Sequence, residues 1–286
     1  MAAAAGAMLM FTIMNALAKY LAVRHSVIEI AFWRNLIGCL PFLSLVFVFG
    51  RRDILRIKSK PRVLVGRALL GVFSLATTFA AYSLMPMAET ATLLFTASLW
   101  APVLGVLLLG EHVGRYRWTA VVIGFVGVAI MANPQGDVNA LGLALALGAA
   151  LMQAVMGIML RHLGGWESPE TISLYFFLIG LSVTALAMPF VAVAPTWPEA
   201  PLLVAVGLAG AAAQWLLSVA YRHTPAAVVA VFNYTNLVWA TLLGWLVWNE
   251  WPAPVVLIGA TIVIGANLLI IWRETRLARA SIAPQE

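Results

Sequence analysis

The sequence predicts an all-α polytopic membrane protein, with ten transmembrane helices as two inverted five-helix repeats and both termini cytoplasmic. Three observations predict it. Apolar residues come in runs of about 20, the length an α-helix needs to cross roughly 30 Å of hydrocarbon with its backbone polar groups satisfied internally. Lysine and arginine gather in every second connection, and one stretch of the chain occurs twice. Composition agrees: 63% of the 286 residues are hydrophobic and 10% charged, where a soluble domain carries about 25% charged residues.

The spans follow in order. Span 1, Ala3–Val23, is long enough to cross by itself, so no separate cleavable signal peptide is read. Spans 2 and 3, Ile28–Phe49 and Arg62–Leu84, flank the basic segment "RRDILRIKSKPR" at 51–62. Span 4, Met87–Leu109, follows Pro86 and is closed by Glu111. Span 5, Arg117–Ala132, leads to "NPQGD" at 133–137, the clearest link between halves. Spans 6 and 7 are Ala140–Leu160 and Glu170–Val193, followed by the Pro-rich turn "APTWPEAP" at 194–201. Span 8 is Glu199–Tyr221, span 9 is Ala226–Trp248, closed by Glu250, and span 10 is Ala253–Trp272. The division is therefore 1–132, 140–273 and a cytoplasmic tail at 274–286.

Basic residues set the orientation. Arg51, Arg52, Arg56, Lys58, Lys60, Arg62, Arg115, Arg117, Arg161, Arg222, Arg273, Arg276 and Arg279 all fall on one side, and Arg24 alone on the other. By the positive-inside rule the rich side is cytoplasmic. The net charge of +6 is thereby a topology signal rather than a nucleic-acid footprint, and no nucleic-acid partner is expected. Cys39 is the one cysteine, which excludes an intrachain disulfide. His25, His112, His162 and His223 stand singly in loops or at helix ends, so no metal site or cofactor is read. An intramembrane enzyme needs a nucleophile and base in register; neither G-x-S-x-G nor H-E-x-x-H occurs, and no catalytic residue is assigned.

Residues 82–111 align with 221–250 without a gap, and eleven of the 30 positions are identical, including Tyr82/Tyr221, Pro86/Pro225, Thr96/Thr235, Trp100/Trp239, Gly105/Gly244 and Glu111/Glu250. Chance in so narrow a composition gives about three, so the chain is a duplication. Five spans per unit is an odd number, so the second unit enters the membrane from the opposite side. An inverted repeat is the architecture of many secondary transporters, with the substrate near the midplane between repeats. Glu111 and Glu250 are expected to be structural, ending their helices at opposite faces and receiving donors from the next helix's N-terminus.

"PMAETATLLFTASLWAPVLGVLLLGEHVGRYRWTAVVIGFVGVAIM" and "TPAAVVAVFNYTNLVWATLLGWLVWNEWPAPVVLIGATIVIGANLLI" resemble the EamA repeat of the drug/metabolite transporter superfamily, as does "NALAKYL" followed by "FWRN". The resemblance covers nearly the whole chain. It implies a multi-pass protein of the bacterial inner membrane, with spans 1–4 and 6–9 around a central cavity and spans 5 and 10 peripheral. It also implies a small-molecule substrate. The chain looks most like bacterial metabolite exporters, including the aromatic-amino-acid group, while "ALAKYL" and "MAETAT" are similar to uptake carriers of the S-adenosylmethionine and riboflavin kind.

Ionisable side chains inside a membrane are costly and usually face the bundle interior. Asn15 and Lys19 share a face of span 1, Arg34 lies about two turns into span 2, and Glu89 begins span 4; a partnership of Lys19 or Arg34 with Glu89 would neutralise charge. These four are expected to anchor a zwitterion or carboxylate or to form an outer gate. Arg67, near the cytoplasmic end of span 3, reads as snorkelling towards the lipid interface. The second repeat offers amides instead: Gln153, Gln214, Asn233 and Asn236. Trp100 and Trp239, at equivalent mid-depth positions, suit aromatic cavity walls, and Pro102 marks a bend in span 4. The expected function is export of neutral or aromatic amino acids by alternating access, the alternative being uptake or exchange of a nucleotide-like metabolite. Neither needs a cofactor, and membrane lipid is the one other partner expected.

Overall fold

A computed structural model describes residues 2–58, 61–109, 114–132, 139–163, 166–223 and 232–282, and among them every regular element is helical. The helices are α1 (Ala2–Leu21), α2 (Val27–Phe47), α3 (Pro61–Leu84), α4 (Met87–Leu94), α5 (Ala97–Leu109), α6 (Arg115–Ala132), α7 (Ala140–Leu163), α8 (Pro169–Val191), α9 (Glu199–His223), α10 (Thr235–Trp248) and α11 (Pro254–Ile282), with a 3₁₀ turn at Arg52–Leu55. Six of them (α1, α2, α3, α7, α8 and α9) are long and apolar enough to cross a membrane, and shorter apolar stretches lie at Trp118–Met131, Thr235–Trp248 and Pro254–Leu269. Large apolar side chains such as Phe47, Leu186, Phe190 and Trp251 are exposed on the outside of the bundle. Hydrocarbon is the solvent in which that surface costs nothing, and the protein is a multi-pass membrane protein.

Polar residues at the ends decide where helices start. Ser26 accepts the Glu29 N–H at 3.1 Å and so caps α2, and Ser168 does the same for Thr171 at 3.1 Å ahead of α8, where Pro169 supplies a preset first turn. α10 ends differently. Asn249 adopts the left-handed conformation (φ 55°), its N–H on the Trp245 carbonyl and that of Glu250 on the Gly244 carbonyl. The chain reverses there, which turns the Glu250 side chain back over the helix it has just left. α11 continues beyond the span expected to end at Trp272, reaching Ile282.

Lipid tails give helices no hydrophobic reason to associate, so close packing has to hold the bundle. Small residues provide it. A Cβ on Gly127 of α6 would lie 2.9 Å from the Gly259 carbonyl oxygen of α11, and one on Gly259 would lie 2.6 Å from that of Gly127. Gly38 of α2 lies under the ring of Phe177, and Gly71 of α3 under that of Phe176. The partners are consistent under exchange of the two halves. α1 packs on α9 as α7 packs on α3; α2 on α9 as α8 on α3; α1 on α10 as α7 on α4 and α5. α2 with α8 and α6 with α11 pair with their own counterparts, and α4 of span 4 packs on α10 of span 9.

Those counterpart helices run antiparallel. Asn35 meets Gly180 while Gly38 meets Phe177 along α2 and α8. Ala120 clusters with Ala266, and Gly127 with Gly259, along α6 and α11.

Span 4 carries a break seven residues before Pro102. The helix of span 4 breaks at Phe95–Thr96, between α4 and α5, where successive N–H groups of Phe95, Thr96, Ser98 and Leu99 bond three residues back instead of four. Hydroxyls compete for the carbonyls there: Thr96 donates to Leu93 O and Ser98 to Phe95 O, each at 2.7 Å. Asn267 of α11, 1% exposed, supports the break, its Nδ2 donating to Phe95 O at 3.4 Å and its Oδ1, 2.5 Å from the Ser98 hydroxyl, sharing that one proton with Phe95 O.

Candidate functional site

Four elements meet at the C-terminal end of α1. The Lys19 ammonium donates to both Glu250 oxygens, at 2.6 and 2.8 Å, and to the Met85 carbonyl at 3.1 Å. Glu250 also accepts the Met87 N–H at 3.1 Å, an otherwise unpaired amide at the N-terminus of α4. Trp248 lies beneath the ammonium, 5.0 Å from ring centre to Nζ. The pairing expected between Lys19 and Glu89 is therefore replaced by Lys19 with Glu250. The donors to Glu250 come from α1 and α4, across the two halves, and not from the next helix, because the turn at Asn249 aims the carboxylate backwards. Glu89 stays half-buried within electrostatic reach of Lys19 and Glu250. Glu111, the repeat counterpart, lies outside the described residues.

At mid-bundle the two halves touch through aromatic rings. Phe95 stands at the break of α4/α5, and its counterpart in the aligned repeat is Tyr234, in the turn just before α10. Their ring centres are 5.4 Å apart. The break chemistry is duplicated as well: Thr235 donates to Phe232 O at 2.7 Å, as Thr96 does to Leu93 O at 2.7 Å. Neither aromatic was singled out from the sequence, because Phe95 and Tyr234 are not identical within the aligned stretch.

The expected polar residues spread over several contacts. Thr12 of α1 donates to Asn236 Oδ1 at 2.6 Å, joining α1 to α10. Gln153 of α7 reaches Thr78 of α3 at 3.5 Å. Asn15 is buried beside Tyr82, with no donor to its Oδ1. Gln214 is buried on α9, and Asn233 and Trp239 are half-buried. Trp100 lies edge-on to Phe125 of α6, ring centres 5.0 Å apart, so its indole packs towards α6. Pro102 lies within helical backbone of α5, its side chain outside the described set.

Arg34 is enclosed. Its Nη1 donates to Asn35 Oδ1 at 2.9 Å, and its guanidinium carbon lies 4.4 Å from the centre of Phe177 and 5.0 Å from that of Phe176. Arg67 is not a snorkelling residue. It is 3% exposed, and its guanidinium carbon lies 5.9 Å from the Phe176 ring centre. Depth from a helix end suggested lipid, but the face of α3 that carries Arg67 is covered by α8.

Sequence reasoning also missed a cluster between the C-terminal end of α1 and the N-terminal end of α2. His25 Nδ1 is 3.1 Å from Glu29 and its Nε2 is 3.4 Å from Glu199. Arg24 also meets Glu199, at 3.2 Å, and Val193 N–H donates to Glu29 at 3.3 Å. The i,i+4 spacing of His25 and Glu29 was a usable signal; Glu199, the first residue of the distant α9, gave none.

Comparison with known proteins places this geometry. A profile of the EamA-like transporter family matches residues 1–133 and again residues 140–272. An S-adenosylmethionine uptake transporter of Rickettsia bellii is 28% identical over 92% of this chain and 89% of its own. A riboflavin transporter of Vibrio cholerae is 30% identical over 95% and 92%. A pseudopaline exporter of Pseudomonas aeruginosa is 26% identical over 91% of each. A protein of known crystal structure, 19% identical, superposes with a TM-score of 0.64 over 95% of this chain and 98% of that one, a likeness of fold alone. With both of its halves matching one profile, the chain belongs to the EamA-like transporter family.

Proposed function

We propose that this protein is a secondary carrier that moves a small organic metabolite across a bacterial inner membrane by alternating access. Its units are the five-span repeats 1–132 and 140–273, inverted relative to each other, with both termini cytoplasmic. One observation carries the proposal: the break of span 4 at Phe95 and the turn before α10 at Tyr234, equivalent positions in the repeat, face each other ring to ring. Discontinuous helices paired between inverted units are where carriers bind and hinge. The antiparallel course of α2 with α8 and of α6 with α11 supports the inversion. The Lys19–Glu250–Met87 junction then acts as a latch on the outer side.

A nucleotide-like metabolite is the favoured substrate, supported by relatives named for S-adenosylmethionine uptake and for riboflavin. Amino-acid export is the second reading. What favours it is Arg34, a buried cation suited to a carboxylate, with Trp239 and the amides Gln153, Gln214, Asn233 and Asn236 supplying the remaining surface. Counterflow in proteoliposomes tests both, with trapped S-adenosylmethionine, riboflavin or phenylalanine, and with and without a pH gradient. Saturable exchange of one of the first two labels is expected. Equilibration without exchange would mean a channel and overturn the carrier.

A further inference from the structure

Two guanidinium groups lie deep in the bundle with no carboxylate among the described residues to pair with. Arg34 of α2 is 1% exposed and Arg67 of α3 is 3% exposed. The Nε of each is buried without an acceptor, and the one hydrogen bond between them is that of Arg34 to the neutral Asn35 amide. What they share is a ring. Phe176 of α8 lies 5.0 Å from the Arg34 guanidinium carbon and 5.9 Å from that of Arg67. A desolvated cation–π contact contributes about 2 kcal/mol, whereas burying one ion costs several. Arginine does not escape by losing its proton. Packing among the described residues therefore gives no reason for two such cations, and an anionic group of the substrate would supply the partner they lack.

The helix register shows how the three groups are stacked. Along α2, Asn35 meets Gly180 and Gly38 meets Phe177, so α2 and α8 are antiparallel. Along α3, Leu64 clusters with Ile172 and Gly71 meets Phe176, so α3 and α8 are parallel. The backbones of Arg34 and Arg67 thus join α8 on opposite sides of Phe176, staggered by about 10 Å along the axis at 1.5 Å per residue. Arg67 lies nearer the basic 51–62 loop and Arg34 nearer the His25 end.

We propose that Arg34 and Arg67 form one anion-binding site for a carboxylate or phosphate group of the substrate. Phe176 is the partition on which both cations rest when no anion is bound. This rests on the carrier reading and narrows its substrate to organic anions and zwitterions. Rotation of the Phe176 ring away from Gly71 would let the anionic group pass from one guanidinium to the other, a step that matches the change of access.

The test uses the purified full-length protein in detergent and three probes of one shape: benzoate, phenyl phosphate and the neutral benzamide. Thermal stability and tryptophan fluorescence are measured. Benzoate or phenyl phosphate should raise the melting temperature saturably and benzamide should not. Arg67→Gln should weaken anion binding at least tenfold without lowering the unliganded melting temperature, since it removes an uncompensated charge. Arg67→Lys should keep part of the affinity. Phe176→Leu, which leaves both cations in place, should bind the anion more tightly by removing its competitor. A benzamide response equal to that of benzoate would overturn the site. So would a destabilised Arg67→Gln variant with undiminished anion affinity, or unchanged affinity in both Arg67→Lys and Phe176→Leu. Counterflow of a neutral metabolite together with any of those results would leave the carrier standing and remove only this site.

Discussion

Glu250 illustrates how much one carboxylate can hold in a bundle without a hydrophobic drive for assembly. It binds the Lys19 ammonium and the first amide of α4, so it joins the two halves through charge-assisted bonds at 2.6 to 3.1 Å. Glu250→Gln should destabilise the protein by about 2–3 kcal/mol, below the range for fully buried pairs because the side chain is part-exposed. The melting temperature should fall with little change in the affinity of the folded fraction, and the exchange Lys19→Glu with Glu250→Lys should restore part of the loss. A normal melting temperature with a tenfold loss of affinity would make Glu250 a substrate contact. The two tryptophans divide in a similar way. Trp100→Ala removes an indole packed on Phe125 and should cost about 3 kcal/mol of stability without altering selectivity. Trp239→Ala should weaken transport of aromatic-bearing substrates more than of small ones by removing stacking area. Equal losses for phenylalanine and alanine would take Trp239 out of the cavity wall.

At the scale of elements, the breaks in the paired helices depend on polar groups far away in sequence. Asn267 of α11 bonds the Phe95 carbonyl and the Ser98 hydroxyl across helices, so Asn267→Leu should remove both tethers, leave Ser98 and Phe95 O bonded only to each other, and cost about 1 kcal/mol. It should also slow counterflow at equal folded yield if the break is the hinge; an unaltered rate would place the hinge elsewhere. His25 performs a comparable task between the α1–α2 and α8–α9 connections by contacting Glu29 and Glu199. His25→Ala leaves the two carboxylates without their shared partner and should lower the melting temperature more than Arg24→Ala, whose side chain is half-exposed. The reverse order would mean that the outer contact carries the clamp. Which of these elements could be read from sequence follows from the physics of each. Helix length and helix starts are local properties: six of the apolar runs form helices long enough to span, and Ser26 and Ser168 stand at the starts of two of them. The position of a break is not local. The discontinuity of span 4 at Phe95–Thr96 has no proline to mark it; Thr96, Ser98 and Asn267 compensate the lost backbone bonds there. Arg67 shows the same limit, since distance from a helix end gives depth but not which helix covers that face. Lys19 was legible as a cation inside a span, but its partner lies 231 residues away.

For the whole molecule, the duplicated stretch and the distribution of basic residues make one claim about topology that can be checked independently of substrate. Thirteen lysines and arginines named above lie in connections assigned to the cytoplasm, and odd-numbered repeats force the link between the halves to the opposite face. The antiparallel packing of α2 with α8 and of α6 with α11 is what two such units require, because counterpart helices in a parallel repeat would run in the same direction. The apolar exterior fixes the bundle in hydrocarbon without choosing which end faces in, so the charges have to decide that. Single cysteines supply the measurement. Cys39 is buried among α2 and α8 and is first replaced by alanine, which removes the one native thiol. In that background Ser59→Cys and Pro284→Cys should react with a membrane-impermeant maleimide only when the cytoplasmic face is open. Gln135→Cys should react in intact spheroplasts. Opposite accessibility of Ser59→Cys and Gln135→Cys follows directly from five spans per unit. Reaction of both from the same side would require an even number of spans in the first half, and the two units would then have to be parallel, with Glu111 and Glu250 closing their helices at the same face of the membrane.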